Sequence, residues 1–120
     1  MTLTNIARSA GLPALAVTIL VSGCAANNDT SLYQWDAYQP QVYEYFKGKT
    51  APDAQIDALE KALQQIQSKN GNPPPGFHAH LGMLYASVGK GDQALQEFGE
   101  EKRLFPESSA YMDFLMKKPK

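Results

Sequence analysis

Residues 75–108 read PGFHAHLGMLYASVGKGDQALQEFGEEKRLFPES. Apolar side chains recur in this stretch at spacings of three and four, which is typical of amphipathic helices. The turn Gly89-Lys90-Gly91 divides the stretch into one helix over about residues 77–88 and a second over about residues 92–105. The stretch therefore predicts a helical hairpin.

Several residues of this hairpin follow a defined spacing. They are Leu81, Gly82, Tyr85, Ala94, Phe98 and Pro106. In this register the hairpin resembles a tetratricopeptide repeat, a helix-turn-helix unit of about 34 residues. We expect Gly82 and Ala94 to be small because the two helices cross closely there. A helical hairpin unrelated to such repeats is the alternative.

Two positions depart from the repeat pattern. His78 stands where tryptophan is common, and Glu101 stands where alanine is usual. The second departure predicts that the element after the hairpin is not a standard stacked helix. We interpret residues 100–103, two glutamates followed by a lysine and an arginine, as a solvated helix face.

Helical periodicity also extends upstream of the hairpin. A helix over residues 53–68 is predicted to begin near Thr50, with Pro52 in its first turn and Asp53 three residues after the threonine. Its expected core positions are Ile56, Leu59, Leu63 and Ile66. Together with residues 35–47 it has the outline of a second, divergent hairpin.

A last short helix, over residues 109–117, is expected to cap the hairpin of residues 75–108. Its expected inward side chains are Tyr111, Phe114 and Leu115. No segment alternates convincingly with the period of two that a half-buried strand requires. The predicted fold class is therefore all-α, with about two tetratricopeptide-like hairpins and a capping helix.

The N-terminus carries an export signal. Arg8 is the single basic side chain of residues 1–11, and residues 12–21 are almost wholly apolar. A basic start, a short apolar core and a small-residue cleavage site define a signal peptide. An apolar core of about ten residues is too short to span a bilayer, which needs roughly twenty. We therefore predict that residues 1–23 are a cleaved signal peptide.

The end of this segment, Val21-Ser22-Gly23-Cys24, resembles the lipobox of bacterial lipoproteins. The resemblance implies cleavage before Cys24 and lipidation of its thiol. Cys24 is the only cysteine, which excludes an intramolecular disulfide, and the alternative is an idle thiol in an oxidising compartment. Several acyl chains on one residue are enough for stable anchoring, where one chain alone is marginal.

The residue after the lipidated cysteine decides the membrane in Gram-negative bacteria. It is Ala25 rather than aspartate, which implies the periplasmic face of the outer membrane. Residues 24–31 are predicted to be the lipidated cysteine and a short tether, which reaches about 25 Å when fully extended. Residues 32–120 would form the helical domain, held close to the membrane.

Four stretches carry a further likeness. They read LYQW at residues 32–35, YQPQVY at 38–43, PPGFHAHLG at 74–82 and FPES at 105–108. Together they resemble a family of small Gram-negative lipoproteins that carries only a domain-of-unknown-function label. Members tend to be encoded beside a lipoprotein similar to the curli-secretion channel and beside a further small lipoprotein. The resemblance implies a part in an outer-membrane lipoprotein assembly and supplies no activity.

Composition and motifs favour binding over catalysis. The formal net charge is −1, and no basic stripe indicates nucleic acid. His78 and His80 are the only histidines, and side chains two apart on a helix point away from one another, so they cannot share a metal. No nucleophile motif or phosphate-binding glycine loop is present. We therefore expect no catalytic residue, no metal and no cofactor.

The first candidate interface is the inner face of the repeat. It would be formed by Ala79, His80, Met83, Ala86 and Ser87. This face is small and nearly uncharged, so it lacks the lysine or arginine needed to hold a terminal carboxylate. An apolar or aromatic segment of a partner, such as a helix, would suit it better.

The second candidate interface is an aromatic cluster near the tether. Its members are Tyr33, Trp35, Tyr38, Tyr43, Tyr45 and Phe46. Packing in the core is the favoured interpretation, with some exposure because tyrosine and tryptophan suit interfaces. From both surfaces we select five candidate partner-binding residues. They are Trp35, Tyr43, Ala79, Met83 and Ser87.

Two functions follow from these expectations. The first is a membrane-tethered scaffold or assembly partner in an outer-membrane lipoprotein complex, bound to envelope proteins such as another lipoprotein. The second is an adaptor or regulator of cell-wall synthases or hydrolases. Because so small a domain buries a modest core without a disulfide, self-association into a homo-oligomer is a further expectation.

Overall fold

The structure, a computed structural model, describes residues 31–35 and 37–117. This part of the chain contains five α-helices and no strand, which confirms the predicted all-α class. The helices are α1 (Gln39–Lys47), α2 (Pro52–Ser68), α3 (Phe77–Ser87), α4 (Gly91–Leu104) and α5 (Ser109–Met116), with a 3-10 turn at Pro106–Ser108. Cys24, the signal peptide and the tether as far as residue 30 lie outside the described residues.

Helices α3 and α4 pack along each other as a hairpin and cross where the sequence predicts. A Cβ atom at Gly82 would lie 2.6 Å from Cε1 of Phe98 and 3.2 Å from the carbonyl oxygen of Ala94. Ala94 and Phe98 are themselves buried. Since any side chain at residue 82 would overlap the ring of Phe98, glycine permits this close crossing.

Helix α2 supplies the other half of the core. Its buried apolar side chains are Ile56, Leu59, Ala62 and Ile66, whereas Leu63 is only partly buried. Pro52 occupies the first turn as predicted, but the predicted cap at Thr50 is wrong. The hydroxyl of Thr50 donates instead to Glu44 at 2.7 Å, which ties the end of α1 to the start of α2.

Helix α5 packs against α4, and of the three residues predicted to point inward only Leu115 packs against the core. Met112 is fully buried, whereas Tyr111 and Phe114 are each more than half exposed and stack on one another at 6.4 Å. The prediction of Tyr111 and Phe114 as inward residues is therefore wrong. Both faces of this short helix are apolar, so periodicity does not predict which one is buried. In the packed structure the unbranched side chain of Met112 is the buried one.

Helix α1 packs against α2 and contributes no fully buried residue. The expectation that the aromatic cluster is chiefly core is therefore wrong for this helix. Outside α1, Tyr38 packs against the core, and the ring of Tyr33 lies 5.7 Å from that of the buried Phe105. Because α1 rests on α2, an open space is left between α1 and α3.

Candidate functional site

This space is an apolar groove of about 210 Å³, which we call the groove. Its wall on the α1 side consists of Tyr38, Val42, Tyr45 and Phe46, and its α3 side consists of Gly76, Ala79, His80 and Met83. None of these lining residues is Lys, Arg, Asp or Glu. The groove therefore offers apolar contact and no ionic attraction.

The two walls follow from helical spacing. Val42 and Phe46 lie one turn apart on α1, and Ala79 and Met83 lie one turn apart on α3. Phe46 is 79% exposed and Tyr45 is 39% exposed. Covering such apolar surface releases about 25 cal/mol per Å², so a partner that covers this rim gains binding free energy.

The start of α3, which forms one end of the groove, is fixed by Glu101. This carboxylate is only 2% exposed and accepts hydrogen bonds from the backbone N–H groups of Gly76, at 2.6 Å, and Ala79, at 3.2 Å. The expectation of a solvated face is wrong at this position. A carboxylate at a helix N-terminus satisfies otherwise unpaired N–H groups and complements the helix dipole, which accounts for glutamate where the repeat pattern has alanine.

Tyr38 links this helix start to the wall on the α1 side. Its hydroxyl donates to the carbonyl oxygen of Gly76 at 3.0 Å, and its ring lies 5.3 Å from that of Phe77. Burial, with the nearby Glu101 charge as the smaller cause, raises the pKa of Tyr38 to about 12. The phenol therefore stays protonated and keeps donating throughout the physiological pH range.

His80 forms the polar part of the groove. Its side chain is 8% exposed and lies between the rings of Tyr45, at 5.0 Å, and Tyr38, at 5.9 Å. Neither ring nitrogen has a hydrogen-bond partner among the residues that the structure describes. Burial lowers the pKa of His80, so its imidazole is neutral at neutral pH and carries one donor and one acceptor.

A larger, polar cleft of about 370 Å³ lies on the α4 side of α3. There Nδ1 of His78 lies 2.6 Å from Oε2 of Glu97, and Nε of Arg103 donates to Glu100 at 2.8 Å. The hydrogen bond from Arg103 is the main cause that lowers the pKa of Glu100. The charged groups that line this cleft are thus paired with one another.

The five candidate partner-binding residues fall in different places. Ala79 and Met83 line the groove. Trp35 and Tyr43 are exposed beside it, where Trp35 contacts the ring of Tyr33 and Tyr43 lies beneath the ammonium of Lys47. Ser87 is exposed near the end of α3 and donates to the carbonyl oxygen of Leu84.

Sequence reasoning missed two features of the site. It placed His80 on the face that would meet a partner, whereas the side chain is buried, and it overlooked the cap formed by Glu101. The departure of residue 101 from alanine was the available signal, because a lone acid at a helix-crossing position has to find hydrogen-bond donors.

Over the residues that the structure describes, no three His, Cys, Asp or Glu side chains are arranged to hold a metal ion. Within the same residues, no helix has the length and apolar character needed to cross a membrane. The absence of catalysis and of cofactors stays a prediction.

A comparison with protein families identifies the chain. The family model described as Domain of unknown function (DUF4810) matches residues 32–115. The chain belongs to this family. The matched DUF4810 residues include all five helices and both walls of the groove, apart from Met116, the last residue of α5. No curated protein and no solved structure matches the chain.

Proposed function

We propose that this DUF4810 protein is a lipid-anchored scaffold on the periplasmic face of the outer membrane. In this proposal the groove binds an apolar segment of another envelope protein, and the protein serves as an assembly partner rather than as an enzyme. The observation that carries the proposal is the groove itself. It is an open, uncharged, aromatic-walled surface whose rim residue Phe46 is mostly exposed.

The anchor half of the proposal rests on the N-terminal sequence. The lipobox-like segment ends in Cys24, and Ala25 follows in the position that decides sorting. The tether from Ala25 spans about 25 Å when fully extended, so the groove lies near the membrane. A partner within reach is then itself lipidated or embedded in the membrane.

The partner half rests on the kind of surface that the groove offers. Large apolar and aromatic groups at the centre of an interface carry a disproportionate share of binding, often about 2 kcal/mol or more each. The resemblance of α3 and α4 to a tetratricopeptide repeat supports the same face, since the first helix of such a repeat lines the partner site. The likeness to lipoproteins encoded beside a curli-secretion-channel-like lipoprotein favours a partner of that class.

The partner half is tested by purifying the lipidated full chain from outer membranes and identifying the proteins that remain bound. Met83→Glu places a charge in the groove and should abolish co-purification. Ala110→Glu places the same charge on an exposed position of α5 outside the groove, and should retain it. Equal retention by both variants, with helical circular dichroism intact, would contradict the proposal.

The identity of the bound protein separates the two functions. Channel-like or other small lipoproteins support the scaffold. Co-purification of cell-wall synthases or hydrolases would instead support the adaptor function, through the same groove.

The anchor half is tested with Cys24→Ser and a fatty-acid label in growing cells. The variant should take up no label and should accumulate as precursor, because the signal peptidase of lipoproteins requires the lipidated thiol. Ala25→Asp should instead keep the label and move the protein to the inner membrane. Equal labelling of the wild type and Cys24→Ser would contradict the anchor.

A further inference from the structure

We propose that the groove receives a tryptophan side chain of the partner, and that its indole N–H donates a hydrogen bond to a ring nitrogen of His80. This inference rests on the proposed function, because it specifies the partner group that the same groove binds. It follows from the size, the walls and the single unpaired polar side chain of the groove.

The size of the groove indicates a bicyclic ring. An apolar cavity of about 150 Å³ in another protein takes up benzene. The groove, at about 210 Å³, has room for a larger ring system. Indole is the largest aromatic group that a protein side chain supplies.

The walls of the groove favour an aromatic occupant without charge. Tyr45 and Phe46 meet edge to face at 5.6 Å, so an inserted ring finds both ring edges and ring faces. Aromatic pairs of this kind gain about 0.5–1.5 kcal/mol beyond the burial of their area. No lining residue offers an ion-pair partner to a lysine, arginine or carboxylate.

The unpaired imidazole of His80 calls for a hydrogen-bond donor on the partner. Almost all buried polar groups in proteins are hydrogen-bonded, and each exception calls for an explanation. A buried neutral imidazole that no described residue pairs with is an acceptor for a donor that arrives with the partner. Phenylalanine lacks such a donor. The indole N–H of tryptophan is a donor only and, unlike the phenol of tyrosine, it does not ionise.

Tyr45 controls access to His80. Its ring lies 5.0 Å from that of His80, while its side chain is partly exposed and belongs to a helix with no fully buried residue. In this proposal Tyr45 rotates as the indole enters and exposes a ring nitrogen of His80. Side-chain rearrangements of this size are common when interfaces form.

The test uses N-acetyltryptophanamide and its indole N-methyl analogue as probes, with binding followed through the NMR methyl signals of Ala79 and Met83. The full chain should bind the parent probe about fivefold more tightly than the methylated one, as expected for one net hydrogen bond. In His80→Phe, which keeps a ring at this position, the two probes should bind equally. The variant thereby separates the hydrogen bond from the added bulk of the methyl group.

Three results would overturn the inference. The first is equal affinity of the wild type for both probes, and the second is a preference for the parent probe that persists in His80→Phe. Methyl signals of Ala79 and Met83 that do not shift with either probe would also overturn it. If Met83→Glu nevertheless loses the co-purifying partner, the proposed function stands and only the tryptophan assignment fails.

Discussion

The two sides of helix α3 differ in how completely their side chains are packed and hydrogen-bonded. On the side towards α4, His78 is paired with Glu97 and Gly82 fits closely against Phe98. On the side towards α1, His80 is buried beneath two tyrosine rings without a described partner, and Met83 is partly open to solvent. Both residues are histidines, so their surroundings and not their chemistry distinguish the satisfied side from the side that we propose binds a partner.

The largest expected effect is on the α4 side, at Gly82. Gly82→Leu forces a side chain into the ring of Phe98, where a Cβ atom alone would lie at 2.6 Å. Overpacking of this kind typically costs about 1–3 kcal/mol of unfolding free energy. We expect a clear fall in the midpoint of urea denaturation, followed by far-ultraviolet circular dichroism.

Gln96→Ala provides the control for this prediction. Gln96 is an exposed polar residue of α4, and its truncation should change the unfolding free energy by less than roughly 0.5 kcal/mol. Equal shifts for Gly82→Leu and Gln96→Ala would show that the helices do not cross at Gly82.

The second prediction sets the two histidines against each other. His78→Phe removes the hydrogen-bond partner of the largely buried Glu97 carboxylate, and should cost about 1–3 kcal/mol. His80→Phe removes two buried nitrogens that no described residue satisfies, and should raise the unfolding free energy by about 1 kcal/mol. Thermal denaturation of both variants measures the contrast. A loss of stability in both would mean that His80 has a stabilising partner, and the contrast between the two sides would then fail.

The smallest expected effect is a pH dependence that belongs to His80. Burial lowers its pKa in the folded protein below the ordinary value of 6.5, so the unfolded chain takes up a proton first as the pH falls. The unfolding free energy is therefore not reduced by protonation of His80 above pH 6.5. It falls as the pH drops from 6.5 to the lower folded pKa. Melting temperatures measured on both sides of pH 6.5 should fall less steeply for His80→Phe than for the wild type. Parallel curves would contradict the assignment.

The sequence was sufficient for the parts of the fold that depend on local spacing. The crossing of α3 and α4 follows from residues 82, 94 and 98, which are close along the chain and of complementary size. The face of α5 did not follow, because Tyr111, Met112 and Phe114 are all apolar and only packing distinguishes them.

The candidate site was predictable on one wall only. Ala79 and Met83 follow from the register of α3, whereas the opposite wall depends on how α1 docks against α2, which periodicity does not encode. Glu101 accepts hydrogen bonds at the start of α3 from Ala79 and Gly76, which precede it by 22 and 25 residues along the chain. A contact of that separation is visible only after the hairpin has closed.

In the proposed function, the α1 side of α3 is the surface that meets another envelope protein. Photo-crosslinking in intact cells tests it most directly, with a photoreactive phenylalanine derivative placed at Phe46 or, as the matched control, at Tyr111. Both side chains are exposed aromatics, but only Phe46 lines the groove. We expect one crosslinked product from position 46, containing a different membrane-associated protein, and none from position 111. The same products from both positions, no product from position 46, or a product containing only two copies of this chain would contradict it.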